Sequence, residues 1–146
     1  MKYSFSTLVR WVGMGATPVV IVIVTILSLS PASEVSEIVT YIPFGDKGAH
    51  MLAYMVMGFC MICGVAHSDG QTSVKYMLRR NRLQIVVIMV LICLIGATIE
   101  LVQPLFSRGC ELGDLIADCI GGAIGVFLGI SIVTLVQKCE QKRGKS

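Results

Sequence analysis

The chain has 146 residues, which suits one domain; 55% are hydrophobic and 14% are charged, against about 45–50% and about 25% in ordinary soluble domains. Its charges sit in short islands between long apolar runs, so most of the chain cannot face water and lipid must be its solvent. The net charge of +3 comes with no basic patch interleaved with aromatics, which excludes nucleic acid as a partner.

A helix needs about 20 apolar residues to cross the hydrocarbon layer. Four runs are that long, at about 12–30, 48–66, 83–103 and 115–137. The expected fold is all-α: a single integral membrane domain of four transmembrane helices. Short connections make it an antiparallel bundle. The first run follows Lys2 and Arg10 and ends Ser30-Pro31-Ala32-Ser33, flanks that a signal peptide shares. It is longer than the usual apolar core of about 7–15 residues and lacks an A-x-A site, so it reads as a retained helix. Pro18 within it predicts a kink or a loosened hydrogen-bond ladder. In the second run Cys60 and Cys63 form a C-x-x-C. Inside lipid they have neither cations nor a helix start to stabilise a thiolate, and they read as packing residues. Cys110 and Cys119 fall near the face where disulfides form, but their spacing gives no reason to pair them, and zinc-ligand spacing is absent.

Lys and Arg counts set the orientation. Lys2, Arg10, the loop residues Lys75, Arg79, Arg80 and Arg82, and the tail residues Lys138, Lys142, Arg143 and Lys145 make ten; the other two loops hold only Lys47 and Arg108. Both termini and the middle loop are therefore expected in the cytoplasm. The loop at 75–82 is expected to lie near anionic headgroups.

The polar residues then gather at the outer face. Asp46, His50, Tyr54 and Gly58 recur every four residues and form one stripe on the second helix. Glu100 and Gln103 share a face of the third. Asp114 and Asp118 lead into Gly121, Gly125 and Gly129 on the fourth. That glycine stripe is a helix-packing pattern in lipid, so the two aspartates should face the bundle interior, where an ionisable group is kept only with a partner or a function. Pro104 ends the third helix, and the turn at 104–113 can hang Arg108 over the bundle. Lys47 and Arg108 could simply lock loops to acids. The acids Asp46, Glu100, Glu111, Asp114 and Asp118 nevertheless outnumber these two bases, and the excess suggests a site for a cation, a proton or a metal-bridged phosphate. The second and fourth runs both begin with an acid and a polar residue four later (Asp46 and His50, Asp114 and Asp118), a weak sign of a repeated hairpin.

These residues carry a family resemblance. Asp46-Lys47-Gly48-Ala49-His50-Met51-Leu52-Ala53-Tyr54 resembles the D-K-x-x-H-x-x-x-Y signature of the VanZ-like family. Glu100-Leu101-Val102-Gln103 is similar to its E-x-x-Q element, and Arg108 followed by Asp114-Leu115-Ile116-Ala117-Asp118-Cys119-Ile120-Gly121 to its R…D-x-x-x-N-x-x-G element. Asp118 stands where the family often has Asn, which adds a charge. The resemblance implies a multi-pass protein of the bacterial inner membrane, tied to the cell envelope, exopolysaccharide biosynthesis or teicoplanin resistance. It carries no settled catalytic residues.

Three functions are compatible with the residues. The first is an accessory protein that binds a lipid-linked or amphiphilic molecule, such as a lipid-linked glycan or glycopeptide, at the outer leaflet. Its site would comprise Asp46, Lys47, His50, Tyr54, Glu100, Gln103, Arg108, Asp114 and Asp118, with Lys47, His50 and Arg108 meeting anionic oxygens. The second is an enzyme acting on polyprenyl-phosphate or peptidoglycan groups, with His50 or Glu100 as base and Asp114 and Asp118 around a divalent cation. The third is a scaffold for a glycan-synthesis partner. No cofactor is required beyond that cation, and a homo-oligomer fits any of the three.

Overall fold

A backbone in hydrocarbon has no water to bond to and must satisfy its amides internally, so each apolar run becomes a helix. The computed structural model describes residues 5–31, 40–67, 69–70 and 72–144; Lys2, Lys145 and the Ala32-Ser33 stretch lie outside them. The helices in chain order are α1 (Phe5–Leu29), α2 (Asp46–Val65), the short α3 (Val74–Arg80), α4 (Arg82–Val102) and α5 (Leu112–Arg143). A 3-10 turn, Gln103–Phe106, extends α4. No strand occurs among the described residues. The four long helices are each long and apolar enough to cross a membrane, which makes this a multi-pass helical protein.

Two helices outrun their apolar stretches. α1 begins at Phe5 and continues without a break through Pro18, although the ring leaves the Met14 carbonyl without its usual donor. α5 has 32 residues, about 48 Å of helix, against a hydrocarbon layer of about 30 Å. Its last turns, with Lys138, Lys142 and Arg143, therefore project beyond the apolar layer. The loop between the second and third spans was expected to lie near headgroups, and part of it is α3. Asn81 joins α3 to α4: fully buried, it accepts from the His67 amide at 2.6 Å and donates to the His67 carbonyl at 3.1 Å.

The order of contacts gives the helix directions. Gly13 of α1 packs on Cys60 and Gly64 of α2, and the Ser6 amide reaches Glu140 of α5 at 2.9 Å. Gly96 and Ile92 of α4 meet Asp118 and Gly122 of α5. Gly121 and Gly125 of α5 meet the backbone of Met51 and Met55 of α2, and Gly129 meets Ile62. Successive spans thus run in opposite directions, yet α2 and α5 run parallel and pack most closely. A Cβ at Gly121 or Gly125 would strike the Met51 or Met55 carbonyl oxygen. In lipid, where burying apolar surface gives helices no advantage, this backbone approach is what packing can exploit. Tyr54, Met57, Ile62, Ile92, Val126 and Ile130 fill the centre, while Val86, Val90, Leu94, Phe127 and Leu135 point outward, as lipid-facing side chains do.

Candidate functional site

The end of the bundle where α2 and α5 begin holds the polar side chains. Each is placed by a local feature. Phe44 and Gly45 both have positive φ, 68° and 62°, and this turn delivers Asp46 as the first residue of α2. His50 and Tyr54 follow one and two turns below, both buried, with their rings stacked at a centroid distance of 6.4 Å. After α4, Ser107 adopts a left-handed φ of 58°, and the Arg108 amide donates to the Gln103 carbonyl at 3.2 Å. That reversal points Arg108 back across the bundle.

The interactions form a connected set. His50 Nδ1 lies 2.9 Å from Asp118 Oδ1, and Nε2 lies 4.0 Å from Asp114 Oδ2. Arg108 Nη2 donates to Asp46 Oδ2 at 2.8 Å, and its Nη1 reaches the Ser30 carbonyl at 3.4 Å. Lys47 Nζ stands 2.7 Å from Glu111 Oε2 and 3.6 Å from Asp114 Oδ1. Glu100 accepts the Glu111 amide through Oε2 at 2.8 Å. Gln103 donates to the Ser28 carbonyl at 3.2 Å, so it ties α1 to α4 and does not pair with Glu100. Tyr54 sits beside Asp118 without hydrogen-bond geometry.

All nine residues singled out by sequence therefore lie at this end of the bundle, in three groups. Asp46, His50, Asp114 and Asp118 form the inner group. Lys47 and Arg108 lean in from its rim, each already facing an acid. Glu100 and Tyr54 flank it from α4 and α2, while Gln103 is turned to the Ser28 carbonyl of α1. Asp114 and Asp118 are 3% and 0% exposed, and Asp114 Oδ1, Asp118 Oδ2 and Glu100 Oε1 have no hydrogen-bond partner. Buried oxygens without hydrogen bonds are costly; Asp114 Oδ1 has Lys47 at 3.6 Å, and the other two leave this end of the bundle with acceptors to spare.

Two contributors escaped the sequence reading. Gly96 leaves the space that Asp118 Oδ2 occupies, since a Cβ there would lie 2.7 Å from that oxygen. The signal was a glycine one turn before Glu100. The second is the contact of Cys119 with Cys93, whose sulfurs are 2.9 Å apart. Cys110 is exposed and forms no disulfide. A helix-face plot cannot foretell that pairing, because it depends on how far α4 slides along α5.

The fold and this cluster define a class: a small multi-pass helical protein with a histidine–carboxylate site at one end of its bundle. The VanZ/LLP1 family model matches residues 5–134, and the chain belongs to that family. No curated protein matches it significantly, and neither does any solved structure.

Proposed function

We propose that the chain is an accessory protein of the bacterial envelope, resident in the inner membrane, that binds an anionic lipid-linked or amphiphilic molecule at the outer leaflet. The ten-to-two distribution of Lys and Arg supports this orientation, with α2 and α5 starting outside. The observation that carries the reading is convergence: His50 lies between Asp118 and Asp114 of another helix, Lys47 in the first turn of α2 reaches Asp114, and Arg108 from the α4–α5 turn holds Asp46. Locking loops requires surface pairs; it does not require a histidine and two carboxylates buried together. The family's link to a lipidated glycopeptide, teicoplanin, fits a site at headgroup level.

The test is binding by the full chain in nanodiscs, with teicoplanin and a polyprenyl phosphate as probes, read by native mass spectrometry. At least one probe should bind, and His50→Ala and Arg108→Gln should each weaken it by tenfold or more per folded chain. Binding of neither probe, or binding indifferent to both substitutions, overturns the proposal.

One observation favours a catalytic alternative. The Asp118–His50 pair is built like an oriented general base. That reading requires phosphate release from a polyprenyl diphosphate by purified protein, abolished in His50→Ala, and fails if no turnover occurs.

A further inference from the structure

His50 is held by one nitrogen and open at the other. A carboxylate at Nδ1, here Asp118 Oδ1 at 2.9 Å, takes the Nδ1–H and leaves a lone pair on Nε2. This is how metal-binding histidines are commonly fixed in orientation. Nε2 faces Asp114 Oδ2 at 4.0 Å. Asp46 completes a triangle: one ligand atom from each of Asp46, His50 and Asp114 lies within 4.8 Å of the others. A separate observation points to a ligand. Asp114 is 3% exposed; its Oδ2 faces His50 Nε2, and its Oδ1, ion-paired with Lys47, accepts no hydrogen bond. Lys47 is drawn toward Glu111 at 2.7 Å and stops 3.6 Å from that oxygen.

We infer that Asp46, His50 and Asp114 bind a divalent transition cation, zinc or manganese, with Asp118 positioning the imidazole. The inference rests on the binding function proposed for this end of the bundle. An imidazole beside two carboxylates selects these ions over magnesium or calcium, which favour all-oxygen cages. Ligand bonds of about 2.1 Å at a tetrahedral angle place two donors about 3.4 Å apart, so the 4.0 Å pair must close by about 0.6 Å, and the Asp46 carboxylate, within 4.8 Å of both, must move in by up to about 1.4 Å. Arg108 occupies Asp46 Oδ2 and leaves the other oxygen of that half-exposed carboxylate for the metal. The cation also resolves a charge problem. Five acids face two bases that are both already engaged, and an anionic headgroup would meet a repulsive site. With a cation in place and a coordination position open to the outside, a phosphate oxygen can bind.

The experiment uses the full chain in nanodiscs, stripped by chelator and titrated with Mn²⁺ under electron paramagnetic resonance, with Zn²⁺ as competitor. One Mn²⁺ should bind per chain and be displaced by Zn²⁺. Asp114→Asn should abolish binding. Asp118→Asn keeps an acceptor for Nδ1–H and should weaken binding about 10–100-fold. Asp69→Asn, at the other end of the bundle, should leave it unchanged. Since Asp114→Asn removes a buried charge, circular dichroism and the Asp118→Asn result guard against misfolding as the cause. No Mn²⁺ or Zn²⁺ binding at millimolar concentration overturns the inference, as does full affinity in both variants. Inorganic phosphate and a polyprenyl phosphate are then added with and without metal to separate a free anion from a lipid headgroup. Polyprenyl phosphate binding that survives chelation in a chain that takes no metal removes the cation and leaves the binding function standing. Metal bound with neither phosphate bound does the reverse.

Discussion

At the residue scale the weight falls on His50. It is 4% exposed and lies among carboxylates that are themselves buried. Deleting one member of such a pair costs about 1–3 kcal/mol, because the remaining buried polar group is left without its hydrogen bond. His50→Ala should therefore lower the thermal midpoint of the purified protein sharply, and Asp118→Ala should do the same. Asp118→Asn should cost about 1 kcal/mol or less, since the side-chain carbonyl still accepts from Nδ1 and a buried charge is removed. Thermal unfolding of the three variants in one detergent gives the ranking; an Asn variant as damaged as the Ala variant would mean that the negative charge itself holds His50. The sequence alone marks Asp114 and Asp118 as interior through the glycine stripe below them, and puts His50 on one stripe with Asp46, Tyr54 and Gly58. It left open which nitrogen faced which acid, because that depends on the rotation of α2 against α5. It allows Arg108 to lock its loop to an acid without saying which one, and it gives no sign of the Ser30 carbonyl, since a backbone acceptor in another segment has no signature in composition.

At the element scale the decisive contact is α2 on α5. Gly121 and Gly125 rest on backbone carbonyls, which cannot swing aside as a flexible side chain can. Gly125→Val should drive the helices apart and cost about 3 kcal/mol or more, seen as lost membrane abundance and faster proteolysis in detergent. Gly15, with nothing within 4 Å of a Cβ, is the matched control: Gly15→Ala should stay within about 0.5 kcal/mol of wild type. Equal damage at both positions would indicate a general intolerance of side chains in these helices and not a close approach. The stripe of 121, 125 and 129 was legible from spacing, because small residues every fourth position need a neighbour to explain them. Its partner was not. Short loops favour packing between successive helices, yet the closest neighbour of α5 is the parallel α2, two spans away. α1 begins before the span read at about 12–30 and α5 extends past both ends of the span read at about 115–137, because helix continues through polar residues at the end of a span, where hydropathy falls but backbone hydrogen bonding does not.

At the scale of the whole molecule, two cysteines report the orientation proposed above. Cys110 lies in the α4–α5 turn and Cys139 near the end of α5, and both are exposed. A membrane-impermeant maleimide applied to intact cells should label Cys110, with Cys139 reacting only after lysis; the reverse pattern would turn the protein over and place the carboxylate cluster in the cytoplasm. The parallel arrangement of α2 and α5 has an electrical consequence as well. Each helix carries about half a positive charge at its amino end and the opposite at its carboxyl end. With all four spans alternating, these partial charges sum to nearly nothing over the bundle, but they are not evenly spread. The two positive poles adjoin beneath Asp46 and Asp114, and the two negative poles lie under α1 and α4. The polar face is thus split into halves of opposite sign, and the positive half lies beneath the aspartates, where it eases the burden of keeping their negative charge out of water.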